Sequence, residues 1–322
     1  MRRISLLAGL LLGLSGCFDA GPSQRIDVAV QGALSAGLDA QGQRLLVGSL
    51  HHGGNLWDIA QAGQESRLFD WNHTAGTYSL LREVALSADA KVAVTAEDDV
   101  IAVWNAVSGE NTGFWRLPAG VRALAVGADG RRAWVGLASG RAIWIDLSNG
   151  MTLLEVDHQG PILSVAFNDQ QRRAVTAGES GVVRVWSLSD GRLHHELVAS
   201  NQVNLVVLSS DGRWLFSNAY REQPRLWDLN TGALHRELPL AGERWTAGRF
   251  DAAGVRLLLG SYQGHVVDVT VADGGIASRW QATPRRWWGM TSSRAVLALA
   301  FGPGGEFLAA TSDGQLARFA RP

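Results

Sequence analysis

The chain has one cysteine, one lysine and eight prolines in 322 residues, and each shortage removes an option. A lone cysteine, Cys17, cannot form an intramolecular disulfide in any compartment, so packing has to hold the fold. With Lys91 as the single lysine, the other basic residues are arginines, and positive sites on the surface are guanidinium forks. Eight prolines beside 38 glycines point to many tight turns without collagen-like or low-complexity character. No block of like charge occurs. The formal charge is -1, and -3 once residues 1–16 with Arg2 and Arg3 are set aside, so nucleic acid is not an expected partner. The apolar run Ile4–Leu14 is also short. Its residues would span only about 16 Å as a helix, roughly half a bilayer's hydrocarbon thickness, which argues against a permanent transmembrane anchor.

A basic start, an apolar run and small residues at Ser15 and Gly16 have the layout of a signal peptide over 1–16. Leu14-Ser15-Gly16-Cys17 resembles the lipobox of bacterial lipoproteins. That resemblance implies cleavage before Cys17 and two or three acyl chains on it, a durable anchor where a single chain would be marginal. It also implies a bacterial envelope location facing the periplasm. Phe18 rather than aspartate follows the cysteine, which in enteric sorting leans toward the outer membrane.

The body of the chain repeats. Gly181–Gly191 reads GVVRVWSLSDG, alternating apolar residues, a tryptophan, then a turn ending in glycine. Related windows place Trp57, Trp104, Ile145, Trp186, Trp227, Val269 and Phe319 at one position, with spacings of 47, 41, 41, 41, 42 and 50. A period near 41 is that of four-stranded propeller blades. Within one unit, strands are expected at Ile162–Phe167, Arg173–Ala177, Val182–Leu188 and Leu193–Leu197. The expected fold is all-β, a seven-bladed β-propeller. RIDVAV at Arg25–Val30 supplies the outer strand that the last unit lacks and closes the ring, which removes exposed edges. The domains are then a signal peptide (1–16), a lipidated tether (17–24) and the propeller (25–322). The tether is about eight residues and reaches roughly 28 Å at most.

Over residues 25–322 the chain resembles the WD-repeat family. Trp57-Asp58 and Trp227-Asp228 keep the name-giving dipeptide, and DHQGPILSVAF, from Asp157, is similar to the family's glycine-histidine opening. The resemblance assigns Trp57, Trp104, Trp186, Trp227 and His158 structural roles. Where the family has a turn aspartate six residues before the tryptophan, only Asp98 and Asp313 qualify. The buried Asp-His-Ser/Thr-Trp network is therefore expected to be largely missing, with apolar packing in its place. Quinoprotein-type propellers are a rival resemblance, through Asn230-Thr231-Gly232 and Trp115. The recurrent tryptophan here precedes the turn, which favours WD repeats.

No nucleophile motif or phosphate loop is present, so no catalytic residue and no cofactor are expected. His51-His52 lie in a strand turn, where adjacent histidines rarely reach one ion, so no metal is expected. His194, His195 and His235 fall on outer strands and His265 on a third strand. Trp115 and Trp280 lie eleven residues after the repeat tryptophan position and read as core or blade-junction residues. The two long spacings put insertions between an outer strand and the next inner strand. The first carries Trp71 and His73, the second Arg285, Arg286, Trp287 and Trp288. With Arg82, Arg122, Arg244 and Trp245 at the starts of inner strands, they suggest an aromatic, guanidinium-rich docking surface on one face. The expected function is a monomeric, non-enzymatic protein-interaction platform, anchored by lipid, with an envelope protein of unknown identity as partner. The short tether would keep the docking surface near membrane-proximal partners. The alternatives are a quinoprotein-like enzyme or cofactor binder using the channel, and small-ligand or carbohydrate recognition by exposed tryptophans.

Overall fold

Alternation of apolar and polar residues in short segments separated by glycine or aspartate turns produces strands throughout. The computed structural model of the protein describes residues 21–282, 286–287, 290–291 and 294–321. Among these residues the strands form seven four-stranded antiparallel sheets and one two-stranded ribbon, and there is no helix. Each sheet is a simple meander from an inner strand a to an outer strand d. Blade 4 runs Ile162–Asn168, Arg173–Gly178, Val182–Ser187 and Leu193–Val198, within a residue of the expected bounds. The inner strands of the other blades are Ala33–Leu38, Glu83–Leu86, Val121–Val126, Val203–Leu208, Trp245–Phe250 and Val296–Phe301.

The middle strands b and c of each blade are buried on both faces, as in Arg173–Gly178 and Val182–Ser187, because each sheet is sandwiched between two neighbours. The core is accordingly divided into junctions. One apolar cluster joins Val94, Val103 and Val121 to Val135 and Ile145 between blades 2 and 3. Another joins Leu45, Val47 and Ile59 to Leu308 and Leu316 between blades 1 and 7, so the ring is packed shut where the chain ends meet.

The last blade is completed by the N-terminal strand. Gln24–Asp27 pairs antiparallel with Gln315–Phe319, with Gln24 opposite Arg318 and Asp27 opposite Gln315. The amides of Val28 and Ala29 continue to the Gly314 carbonyl (2.9 and 3.0 Å). Gly314 sits at φ +78°, and a Cβ there would lie 1.7 Å from the Ala29 carbonyl oxygen, so only glycine lets the two chain segments close.

A meander fixes which turns share a face. The b–c turns and the d-to-a connections emerge at one end of the ring, here the loop face. The a–b and c–d turns emerge at the other, the turn face.

Candidate functional site

The loop face is where side chains escape the packing rules of the blades, and it is there that the expected docking residues are tested. Three of them have their side chains buried. Trp71 is 3% exposed, stacks on Trp104 with ring centroids 5.2 Å apart, and donates its indole N–H to the Gly109 carbonyl of blade 2 (2.9 Å). The expectation misplaced the insertion. Trp71 ends outer strand Ser66–Trp71 opposite Gly54, the place that Trp115 takes opposite Ile101 and Trp280 opposite Val266. Half of the extra residues lie in the c–d turn before this strand, which carries Trp71 into the blade junction.

His73 is likewise no surface ligand. Its Nε2 lies 2.9 Å from the Thr95 hydroxyl, which accepts the Trp104 indole N–H (2.9 Å), and its Nδ1 is 3.7 Å from Glu97. Burial lowers its pKa, opposed by Glu97 and a hydrogen bond with Thr95. Blade 4 holds the same arrangement. The Trp186 indole donates to Thr176 Oγ1 (2.9 Å), which lies 2.8 Å from His158 Nδ1, while Ser180 Oγ is 3.3 Å from His158 Nε2. An oxygen that accepts the indole proton can give its own to Nδ1, which fixes a neutral imidazole with its proton on Nε2. Burial, then the Arg184 cation, lowers His158 to about 4. The Trp–Thr–His network expected to be largely missing is therefore present twice, with Glu97 or Ser180 in the acid's place. Of the two aspartates that matched the motif, Asp98 is exposed at φ +49° and contributes its carbonyl to Val121 N instead, while Asp313 is buried and accepts from the Thr311 hydroxyl (2.5 Å). Trp227 keeps a shorter version, donating to Ser217 Oγ (2.9 Å), and Trp57 Nε1 is buried without a bond among the described residues. Replacing Thr95 by valine should leave two buried groups unsatisfied and cost about 2 kcal/mol in chemical denaturation. Unchanged stability would mean that the bridging hydroxyl is not used.

Trp245 is fully buried, and its indole donates to the Leu240 carbonyl (3.3 Å). It occupies the first inner-strand position, equivalent to Ile162 and Val203, which points into a blade junction. Cys17, Arg285 and Trp288 lie outside the described residues. The backbones of Arg286 and Trp287 pair with Met290–Thr291 in the two-residue ribbon between blades 6 and 7.

Three expected arginines do stand on the loop face. Arg82 is exposed just before Glu83–Leu86, Arg122 is exposed at the register shift between Val121 and Ala123, and Arg244 lies over the Tyr262 ring at 5.4 Å. The sequence reading missed their aromatic partners, having followed tryptophan. All three tyrosines of the chain are on this face, Tyr78, Tyr220 and Tyr262 being 69%, 46% and 48% exposed. Their signal was available: Tyr220 and Tyr262 each stand seven residues before the repeat position at Trp227 and Val269. Arg221 lies over Tyr220 at 5.1 Å and is held at φ +61°, as Asp98 is held at φ +49° six residues before Trp104, whereas the left-handed glycines of other blades, Gly140, Gly181, Gly264 and Gly314, stand one place later in the repeat. A left-handed arginine costs about 1–2 kcal/mol relative to glycine, and such strain is characteristic of residues kept for a task. Tyr78 meets His52 edge-on at 5.3 Å beside an open groove of about 550 Å³ lined by Gln31, Leu50, His51, His52 and Tyr78. Among the described residues, Arg82, Arg122, Arg221 and Arg244 have no carboxylate partner, whereas Arg116, Arg141 and Arg184 are each paired to an acid.

The inner strands carry few polar groups suited to chemistry. Burial raises Glu83 to about 8, and the carboxyl has no hydrogen-bond partner among the described residues. Arg249 donates to the Leu38 carbonyl of blade 1 (3.1 Å), with burial lowering its pKa and Asp39 opposing. No group of three or more metal-ligating side chains occurs among the described residues.

Fold and network together define a WD-repeat-like seven-bladed β-propeller. The family model described as nucleolar protein 10-like, N-terminal domain, matches residues 112–222, about a third of the chain, from the outer strand of blade 2 into blade 5. No curated protein matches the chain. A propeller of this kind suggests a protein-interaction scaffold.

Proposed function

We propose that the protein is a lipid-anchored, non-enzymatic interaction platform of the bacterial envelope, facing the periplasm, whose loop face docks a protein bearing carboxylates. The outer membrane is the favoured site of the anchor, on the residue after Cys17. The observation that carries the docking reading is the gathering of every tyrosine and four unpaired arginines at one end of a rigid ring, with Arg221 held in a strained conformation to present its guanidinium. Arginine and tyrosine supply large desolvated contact area and hydrogen bonds to acids, which is the composition of binding hot spots. The lipobox resemblance at Cys17 supports the anchor, and the absence of a clustered acid-base set among the described inner-strand residues favours docking over chemistry.

The test is proximity crosslinking in intact cells, comparing the native protein with a variant carrying Arg82→Ala, Arg122→Ala and Arg221→Gly. The variant should lose the crosslinked partner while its melting temperature stays the same or rises, since Arg221→Gly relieves strain. Capture by the native protein should weaken with salt, as expected for exposed charges. An unchanged crosslink pattern would overturn the docking face. Cys17→Ser should release folded protein from the membrane fraction, and persistent membrane association would overturn the anchor.

A further inference from the structure

We infer that the propeller stands with its turn face toward the membrane that holds Cys17, so that the tyrosine–arginine face points away from it. The inference rests on the lipid-anchor reading and adds a direction to it. Strand Gln24–Asp27 is an outer strand and enters at the turn face. Ser23 is the first residue held among the described residues: its amide and hydroxyl both donate to the Arg318 carbonyl (2.8 and 3.1 Å). The next side chain, Gln24, donates to Glu65 (3.4 Å), and the Arg318 guanidinium donates to the Ile59 carbonyl. Ile59 and Glu65 belong to the c–d turn of blade 1, between Gly53–Asp58 and Ser66–Trp71, which lies on the turn face. Only at Val28 and Ala29, bonded to Gly314, does the chain reach the loop face.

Lengths decide between orientations. Five residues separate Cys17 from Ser23, and the six steps between them reach at most about 20 Å of fully extended chain. A six-residue strand also spans about 20 Å. A membrane lying against the loop face would require the whole tether to climb the outside of blade 7 with no slack. A membrane against the turn face requires none. The turn face carries both signs of charge, Asp89 and Asp129 of the a–b turns standing beside Lys91 and Arg131, so its charge selects no orientation. The tether sets the orientation, and the loop face is raised by at least the height of a blade. Its partner is consequently one that approaches from the aqueous side. The short tether, expected to keep the docking surface near membrane-proximal partners, would in this orientation point that surface away from the bilayer.

The lipidated protein is reconstituted into phosphatidylethanolamine–phosphatidylglycerol vesicles that carry a lipid-bound acceptor dye. Donor dye is placed on single cysteines at Ser148→Cys or Ser189→Cys on the turn face and at Ser139→Cys or Glu179→Cys on the loop face, the first of each pair in blade 3 and the second in blade 4. Acylation leaves Cys17 unreactive. Energy transfer should be severalfold stronger from the turn-face positions in both blades. Equal transfer, or stronger transfer from the loop face, would overturn the orientation and leave the anchor standing. The same probes on Cys17→Ser protein should show no transfer. If they do, or if no position on the native protein does, it is the anchor that fails, and the orientation with it.

Discussion

Arg318→Met should destabilise the protein by about 3–5 kcal/mol, the usual cost of removing one partner from a buried ionic cluster. The Arg318 guanidinium is 4% exposed, with one amino group on Glu306 (3.0 Å) and the other on Glu65 (3.4 Å) and the Ile59 carbonyl. Glu65 belongs to blade 1 and Glu306 to blade 7, so the cluster fastens the ring at its seam. Methionine preserves apolar bulk but leaves two carboxylates facing each other in a poorly solvated place. The desolvation penalty, rather than the lost attraction, makes the effect large. Adding Glu65→Gln and Glu306→Gln to Arg318→Met should therefore recover most of the loss in chemical denaturation. A single variant as stable as the native protein would show that water reaches these acids freely.

Acidification gives the second large effect. His158 titrates near 4 in the folded chain against 6.5 when unfolded, because burial and Arg184 both disfavour imidazolium. Its folded pKa being the lower, the stability it contributes is complete above pH 6.5 and is lost as pH falls toward 4. Over that window the loss amounts to about 3 kcal/mol. Glu83 works in the opposite direction. Its pKa is raised from 4.5 to about 8, so its contribution is complete below pH 4.5 and is lost as pH rises through 8. The two slopes oppose each other between pH 4.5 and 6.5, and variants must separate them. His158→Asn should be less stable than the native protein at pH 7, with the gap closing by pH 4. Glu83→Gln should gain stability relative to the native protein as pH rises from 5 to 8. A gap at His158→Asn that does not change with pH would mean that the imidazole is already solvated.

The architecture was largely legible because a blade is a local object. Strand, turn and strand recur within 41 residues, and the alternation at Gly181–Gly191 already specifies which side chains enter the sheet junctions. The site was less legible. Trp71 looked like a loop residue because spacing counts residues without saying which connection holds the extra ones, and Trp245, expected at the start of an inner strand, was put on the docking face because a linear pattern does not say that this first position points into a blade junction. His73 looked like a ligand because the loop before it obscured its equivalence with His158. Tyr220 and Tyr262 were passed over although they share a repeat position, since nothing in a linear pattern says that a b–c turn opens onto the same face as a distant d-to-a connection.

Taken alone, the sequence established the repeat period, the seven-fold β architecture and the strand that completes the last blade, all of which follow from alternation and turn chemistry between near neighbours. The tertiary structure decided which aromatic side chains are buried, how the Trp–Thr–His bonds survive with Glu97 or Ser180 in place of the turn aspartate, and that the entry of the chain and the tyrosine–arginine face lie at opposite ends of the ring. Those depend on residues brought together from different blades, and burial and hydrogen bonding between blades are properties of the closed ring rather than of any one repeat.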